Sequence, residues 1–310
     1  KLPSLIEKDK TDLLFGIKAG INYVAASFIR TGENVKEIRE FLDANGGSHI
    51  KIISKIENQE GVENLEEIAQ FSDGIMIARG DLGIELPIWE LPVYQKRILE
   101  MAHLYGKPVV MATELMKSMV KNPFPTRAEV SDVFNSVMAR VDAVMLSDET
   151  AVGLYPVRTV EIMANTVQEG EKEIYDEHDD FDLLTDDETE QSKKGIARHA
   201  LLMADEFAAK AIIVFSYSGR LASYLSAFKP NQPVFSFTEN ANTHYSLGVN
   251  YGVFSKKVDG LTGKMSEDQE KAIATLKAEG ILEAGDAVVV VGARDNNGEK
   301  QPQMRVVNVK

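Results

Sequence analysis

The chain has 310 residues, 44% hydrophobic and 26% charged, which is room for two globular domains of ordinary soluble composition. Its 48 acidic residues against 34 basic give a formal net charge of -14, which argues against a sequence-independent grip on nucleic-acid phosphates. The absence of cysteine excludes disulfides and thiolate metal sites, and no apolar run approaches the roughly 20 residues of a membrane-spanning helix, so a cytoplasmic protein without nucleic-acid or membrane partners is expected.

The opening Lys1-Leu2-Pro3 has neither a methionine nor a signal-peptide pattern, which suggests an upstream segment. Up to about residue 160, short apolar runs alternate with amphipathic stretches. The runs Asn22 to Ser27, Ile50 to Ile56, Gly74 to Ala78, Pro108 to Ala112 and Ala143 to Leu146 read as buried strands. Helical patterns cover Thr11 to Ala19, Val35 to Asn45, Val62 to Phe71, Leu91 to Tyr105 and Arg127 to Arg140. That order predicts a parallel sheet with helical crossovers, either doubly wound or a barrel. Polar residues close nearly every strand, as in Ser27, Lys55 with Glu57, Arg79 to Asp81, Thr113 with Glu114, and Ser147 to Glu149. A barrel collects its functional groups at that end, so the expected fold over residues 1–175 is a partial (β/α)8 barrel, with five strands, three short of closure.

After a helical stretch from Val157 to Tyr175, residues 176–191 form a carboxylate-rich linker without apolar period. Residues 192–310 then read as a smaller three-layer α/β domain. Its expected elements are helix Ser192 to Ala208, strand Ala211 to Phe215, a Ser/Gly turn into a helix, and strand Val234 to Thr238. Helix Ser266 to Glu279, strand Ala287 to Val291, an Asn/Gly-rich turn and a closing strand Arg305 to Val309 complete it.

Lys55 and Glu57 are two residues apart, so the period of a strand puts cation and carboxylate on one face. Taken alone the pair is equally a local salt bridge. The next strand ends in Arg79-Gly80-Asp81, where Gly80 permits close backbone approach and Asp81 adds a second carboxylate, although a plain turn has the same composition. Two carboxylates without histidine or thiolate suit Mg²⁺. Thr113 offers a hydroxyl for a ligand carboxylate or a proton relay, or serves structure alone. Thr126 with Glu129 three residues on marks a helix N-terminus.

The strings Lys51 to Asn58, Gly74 to Pro87, Pro108 to Met119, Asn122 to Asp132 and Val144 to Pro156 together resemble the pyruvate kinase family. The resemblance extends through Leu2 to Asp9, Ala26 to Arg30, Ser216 to Arg220 and Gly285 to Val291, covering essentially the whole chain. It implies transfer of a phosphoryl group from phosphoenolpyruvate to ADP, giving ATP and an enolate that is protonated to pyruvate. Lys55 then offsets charge on the phosphoryl group, and Glu57 and Asp81 hold Mg²⁺. The amides of Gly80 and Asp81 and the Thr113 hydroxyl grip the substrate carboxylate, and Ser147 and Glu149 belong to a polar network near the proton route. The same resemblance places Arg127 at a subunit interface of a homotetramer, and Ser216, Tyr217, Ser218, Gly219 and Arg220 in a sugar-phosphate effector loop. That last stretch read by itself is equally a strand-to-helix turn.

Against the family pattern, Glu114 stands for a usual glutamine, Asp148 for a glycine, Val152 for a lysine and Leu221 for a second loop hydroxyl. The first two add negative charge near anionic substrates. The family's first three barrel strands, lid domain, a substrate-phosphate arginine and the ligands for the expected K⁺ have no counterpart, so these 310 residues alone are expected to turn over little or nothing. A Mg²⁺-dependent aldolase that forms a pyruvate enolate and a non-catalytic paralogue are the rival readings. The aldolase would not need the second domain.

Overall fold

A computed structural model describes residues 5–174, 183, 188–292 and 303–310, which divide into two compact units, Lys1–Glu177 and His178–Lys310. The opening Leu2-Pro3-Ser4, most of the acidic stretch and the Asn/Gly-rich turn before the last strand lie outside the described residues.

The first unit is built on β1 (Tyr23–Ala26), β2 (Lys51–Ile56), β3 (Gly74–Ala78), β4 (Val109–Ala112) and β5 (Ala143–Met145), all parallel and paired in sequence order. A doubly wound sheet reverses its strand order partway, and this one does not; the order is that of a barrel wall. The period of two sorts the side chains. Ile52, Ile56, Ile75, Ile77, Val109 and Met111 face the helices, where they join Ile38, Leu42, Ile68 and Ile98. Each such burial contributes about 1.5–3 kcal/mol. Ile53, Met76, Val110 and Ala112 pack on the opposite face with Tyr23, Ala143 and Met145. Lys55 and Glu57 share the parity of Ile53, so they rise from this second face.

The amino ends of the strands are tied by carboxylates. Asp73, just ahead of β3, accepts the Ile52 amide at 2.9 Å and pairs with Lys51 and Arg39, each at 3.0 Å. Asp142, just ahead of β5, accepts the Val109 amide at 2.9 Å.

Several elements differ from the sequence expectation at their edges. The pattern at Val62 to Phe71 is two helices, Gln59–Glu63 and Leu65–Phe71, interrupted where the Asn64 side chain donates to the Arg30 carbonyl at 2.9 Å. Arg79 to Asp81 opens a helix, Arg79–Glu85, rather than a simple turn. At helix Arg127–Met138 the Thr126 hydroxyl accepts the Glu129 amide at 3.2 Å, and the Glu129 carboxylate accepts the Thr126 amide at 2.7 Å, a complete capping box.

The second unit holds β6 (Ala211–Phe215), β7 (Val234–Thr238), β8 (Val253–Lys257), β9 (Ala287–Gly292) and β10 (Gln303–Asn308) in the order β10-β9-β6-β7-β8. Only β10 is antiparallel to its neighbour. Helices Glu188–Glu206 and Arg220–Ala227 cover one face and Met265–Ala278 the other, with a separate apolar core on each side. β8 escaped the sequence reading because Val-Phe-Ser-Lys-Lys is an edge strand with polar residues and half-exposed positions. The first helix starts at Glu188, four residues ahead of Ser192, and Leu183, inside the stretch read as solvated linker, is buried in this unit's core. Among the described residues no helix is long and apolar enough to cross a membrane.

Candidate active site

The carboxyl ends of the first unit's strands are stitched together side chain by side chain. Between β1 and β2, Lys55 Nζ donates to Ser27 Oγ at 2.8 Å, and Glu57 Oε2 accepts the Phe28 amide at 2.6 Å. Phe28 itself sits at positive φ, 55°. Lys55 Nζ also faces Glu57 Oε1 at 2.6 Å as an ion pair. Glu57 is 1% exposed, and its Oε1 carries no hydrogen bond. Burying a carboxylate that is only partly satisfied is costly, so this oxygen is available to a further positive partner.

Between β3 and β4, the Gly80 amide donates to Thr113 Oγ1 at 2.8 Å, and Arg79 Nη2 donates to the Thr113 carbonyl at 2.7 Å. Thr113 and Glu114 both sit at positive φ, 71° and 57°. For a β-branched residue that is a strained conformation, costing of order 1–3 kcal/mol. Because Thr113 Oγ1 accepts from Gly80, its own proton is left to donate elsewhere. The Gly80 amide, expected to face a ligand, is thus engaged within the site. A Cβ at Gly80 would meet Thr113 Oγ1 at 3.5 Å, an ordinary contact, so packing alone does not demand glycine there.

Between β4 and β5 the link is Glu149. Its Oε1 accepts the Met116 amide at 3.2 Å and its Oε2 the Ser147 amide at 2.9 Å, with the residue 2% exposed. Glu149 therefore holds Ser147 in place and has no oxygen facing solvent. Glu129 reaches the same loop, accepting from the Ser118 amide at 2.7 Å and its hydroxyl at 2.6 Å. Burial works against its ionisation, but the bonds from Ser118 and Thr126 outweigh that and hold its carboxyl below the ordinary value.

The seam between β2 and β3 is different. Ile56 pairs with Ile77, so Glu57 leaves β2 where Ala78 closes β3, three residues before Asp81. Among the described residues no side-chain hydrogen bond crosses the carboxyl ends of these two strands, and Asp81, partly exposed, has no ion pair. The two carboxylates named from the sequence stand at the one unstitched seam. A buried carboxylate oxygen whose one partner is the Lys55 ammonium, and a second carboxylate without an ion pair, fit a hard divalent cation. No group of three or more candidate metal-binding side chains occurs among the described residues, so a cation held by these two carboxylates would need substrate oxygens and water as its remaining ligands.

Asp148 does not add net charge to the site as its sequence position suggests, because Lys117 pairs with it at 2.5 Å. Its hydrogen bond raises the pKa of Lys117 above the ordinary value. Glu114 is exposed, and Val152 is an exposed apolar residue. Arg127 is exposed in the first turn of its helix. In the second unit Ser216 Oγ accepts the Gly219 amide at 3.0 Å, Tyr217 and Ser218 are exposed, and Leu221 is buried. Arg220 pairs with Glu190 at 2.8 Å. A cavity of about 230 Å³ beside this turn is lined by Ser216, Tyr217, Thr238, Glu239, Asp268 and Gly292, among others. Sequence reasoning gave Arg79, Asp132 and Lys117 no role, and their partners are too distant along the chain to be read from spacing.

A parallel barrel wall with a cation and carboxylates at its carboxyl edge, followed in the chain by a separate α/β unit, defines a two-domain protein with a barrel-type unit and an α/β unit. A family model described as pyruvate kinase, barrel domain, matches residues 1–160, and one described as pyruvate kinase, alpha/beta domain, matches residues 194–307. The chain belongs to the pyruvate kinase family. It is 40% identical over 299 residues to a pyruvate kinase of Clostridium perfringens, covering 94% of this chain and 61% of that protein. It is 40% identical over 316 residues to one of Clostridium acetobutylicum, covering 100% and 65%, and 44% identical over 297 residues to one of Lachancea kluyveri, covering 94% and 59%. The chain thus spans about three fifths of the length of these relatives. The match across both units favours this family over the aldolase reading.

Proposed function

We propose that this chain serves phosphoryl transfer from phosphoenolpyruvate to ADP, with Lys55, Glu57 and Asp81 as its charge-handling core. What carries the reading is the buried Glu57 oxygen that faces Lys55 and has no hydrogen bond of its own. Glu57 and Asp81 would hold Mg²⁺, which supplies positive charge to the phosphate oxygens. Lys55, kept beside Glu57 and Ser27, offsets charge on the transferring group through its ammonium. Thr113 turns its hydroxyl proton toward the substrate carboxylate, with the Asp81 amide beside it. The Gly80 amide reaches that carboxylate only by exchanging its bond to Thr113. Ser147, fixed through its amide by Glu149, lies on the route by which the enolate is protonated.

The wider family reading adds a cytoplasmic homotetramer, with the exposed Arg127 at a subunit contact and K⁺ as a second cation. It also adds a sugar-phosphate effector at Ser216 to Arg220; the cavity beside that turn supports it, while the pairing of Arg220 with Glu190 means an anion there has to compete for the guanidinium.

The test is pyruvate formation from phosphoenolpyruvate and ADP by the gene product that carries these residues, with Lys55→Ala as control. A loss of at least a thousandfold is expected from removing a transition-state charge partner. Turnover unchanged by Lys55→Ala overturns the role given to Lys55, and no turnover in the unaltered gene product favours a non-catalytic paralogue.

A further inference from the structure

Thr113 and Glu114 adopt left-handed backbone conformations that neither side chain prefers, so something must impose them. The peptide between them is gripped from the start of helix Arg79–Glu85, which directly follows β3. Arg79 Nη2 donates to its carbonyl at 2.7 Å, while the next residue's amide, Gly80, donates to the Thr113 hydroxyl at 2.8 Å. Arg79 is itself fixed. Its Nη1 lies 2.8 Å from Asp132 Oδ1 and 2.7 Å from Oδ2, and its side chain is only 9% exposed against 35% for Asp132. Asp132 sits in the helix Arg127–Met138, whose start is fixed by the capping box. A planar guanidinium spans two acceptors at a set angle, which a lysine ammonium does not reproduce.

We infer that Arg79 and Asp132 are positioning residues: helix Arg127–Met138 acts through this ion pair to hold Thr113 left-handed and point its hydroxyl proton at the ligand. The inference rests on the assignment of Thr113 to the substrate carboxylate proposed above. The carbonyl and the hydroxyl of Thr113 are held by adjacent residues of one segment, so losing the first grip frees the second. Once released, Thr113 relaxes to negative φ, and its hydroxyl leaves both Gly80 and the ligand.

Two measurements on the 310-residue chain test this, amide hydrogen exchange at Gly80 and calorimetric binding of oxalate in the presence of Mg²⁺. Oxalate is used as a planar dicarboxylate that resembles the enolate of pyruvate. Arg79→Lys and Asp132→Asn are each expected to speed Gly80 exchange and weaken oxalate binding, both at least tenfold, with Asp132→Glu restoring most of both. Thr113→Ala should weaken oxalate equally, and adding Arg79→Lys to it should cost no more than a further twofold, since both changes remove the same contact. A purely structural pair would give losses that multiply in the double variant, and that result overturns the inference. So does unchanged Gly80 exchange in Asp132→Asn, the variant chosen in case Arg79→Lys fails to fold. Absence of oxalate binding in the unaltered chain sinks the substrate assignment instead, while the exchange data still decide whether the clamp exists.

Discussion

Lys55 Nζ stands 2.6 Å from Glu57 Oε1, yet the lysine side chain is 23% exposed and the glutamate 1%. The two partners therefore differ in what each loses alone. Lys55→Met strands a carboxylate that water does not reach, and about 2–4 kcal/mol of stability should go with it. Glu57→Gln leaves an ammonium that can turn to solvent, and should cost about 1–2 kcal/mol, chiefly through the Phe28 amide. Urea unfolding of both variants and of the double variant checks this order. A larger loss from Glu57→Gln than from Lys55→Met would contradict it.

Asp73 couples the amino ends of β2 and β3 to acid. Burial opposes its ionisation, but Lys51, the Ile52 amide and Arg39 together hold its pKa below the ordinary 3.8. A depressed folded-state pKa gives stability that is full above the unfolded value and lost as pH falls through the folded one. The first unit should thus lose stability below about pH 4, and Asp73→Asn should flatten that acid limb while costing about 1–3 kcal/mol at pH 7. Equal acid dependence in variant and parent, measured by urea midpoints, would show that another carboxylate is responsible.

Glu190 plays the corresponding part in the second unit. Burial again opposes the charge, but bonds from Lys193, Tyr224 and Arg220 bring its pKa from 4.5 to about 2. Its contribution is complete above about pH 4.5 and disappears as pH falls toward 2. Discounted for solvent screening, it amounts to roughly 1–2 kcal/mol. Glu190→Gln should remove that contribution at pH 7 and leave the pH 2 value unchanged, read by the unfolding of helix Glu188–Glu206. A variant that loses as much at pH 2 as at pH 7 would exclude the electrostatic origin.

What could be read in the sequence was whatever the local period carries. Lys55 and Glu57 are two apart on a strand, and Thr126 and Glu129 are three apart at a helix start; both pairs meet in the fold as that spacing requires. β8 could not be read, because an edge strand has little apolar face to display. The ties that organise the site bridge long separations. Arg79 meets Asp132 across 53 residues, Glu149 meets Met116 across 33, and Lys117 meets Asp148 across 31. The last of these reverses the sequence expectation for Asp148, since a charge counted alone along the chain is paired once the strands are side by side.

The central claim is that Glu57 and Asp81, at the unstitched seam of β2 and β3, hold a divalent cation. Titration of the chain with Mn²⁺ as a paramagnetic stand-in for Mg²⁺, followed by electron paramagnetic resonance with and without oxalate, tests it most directly. One saturable site is expected, tightened by oxalate and weakened at least tenfold by either Glu57→Gln or Asp81→Asn. Mn²⁺ binding that neither substitution changes, or no saturable binding at all, would contradict the claim.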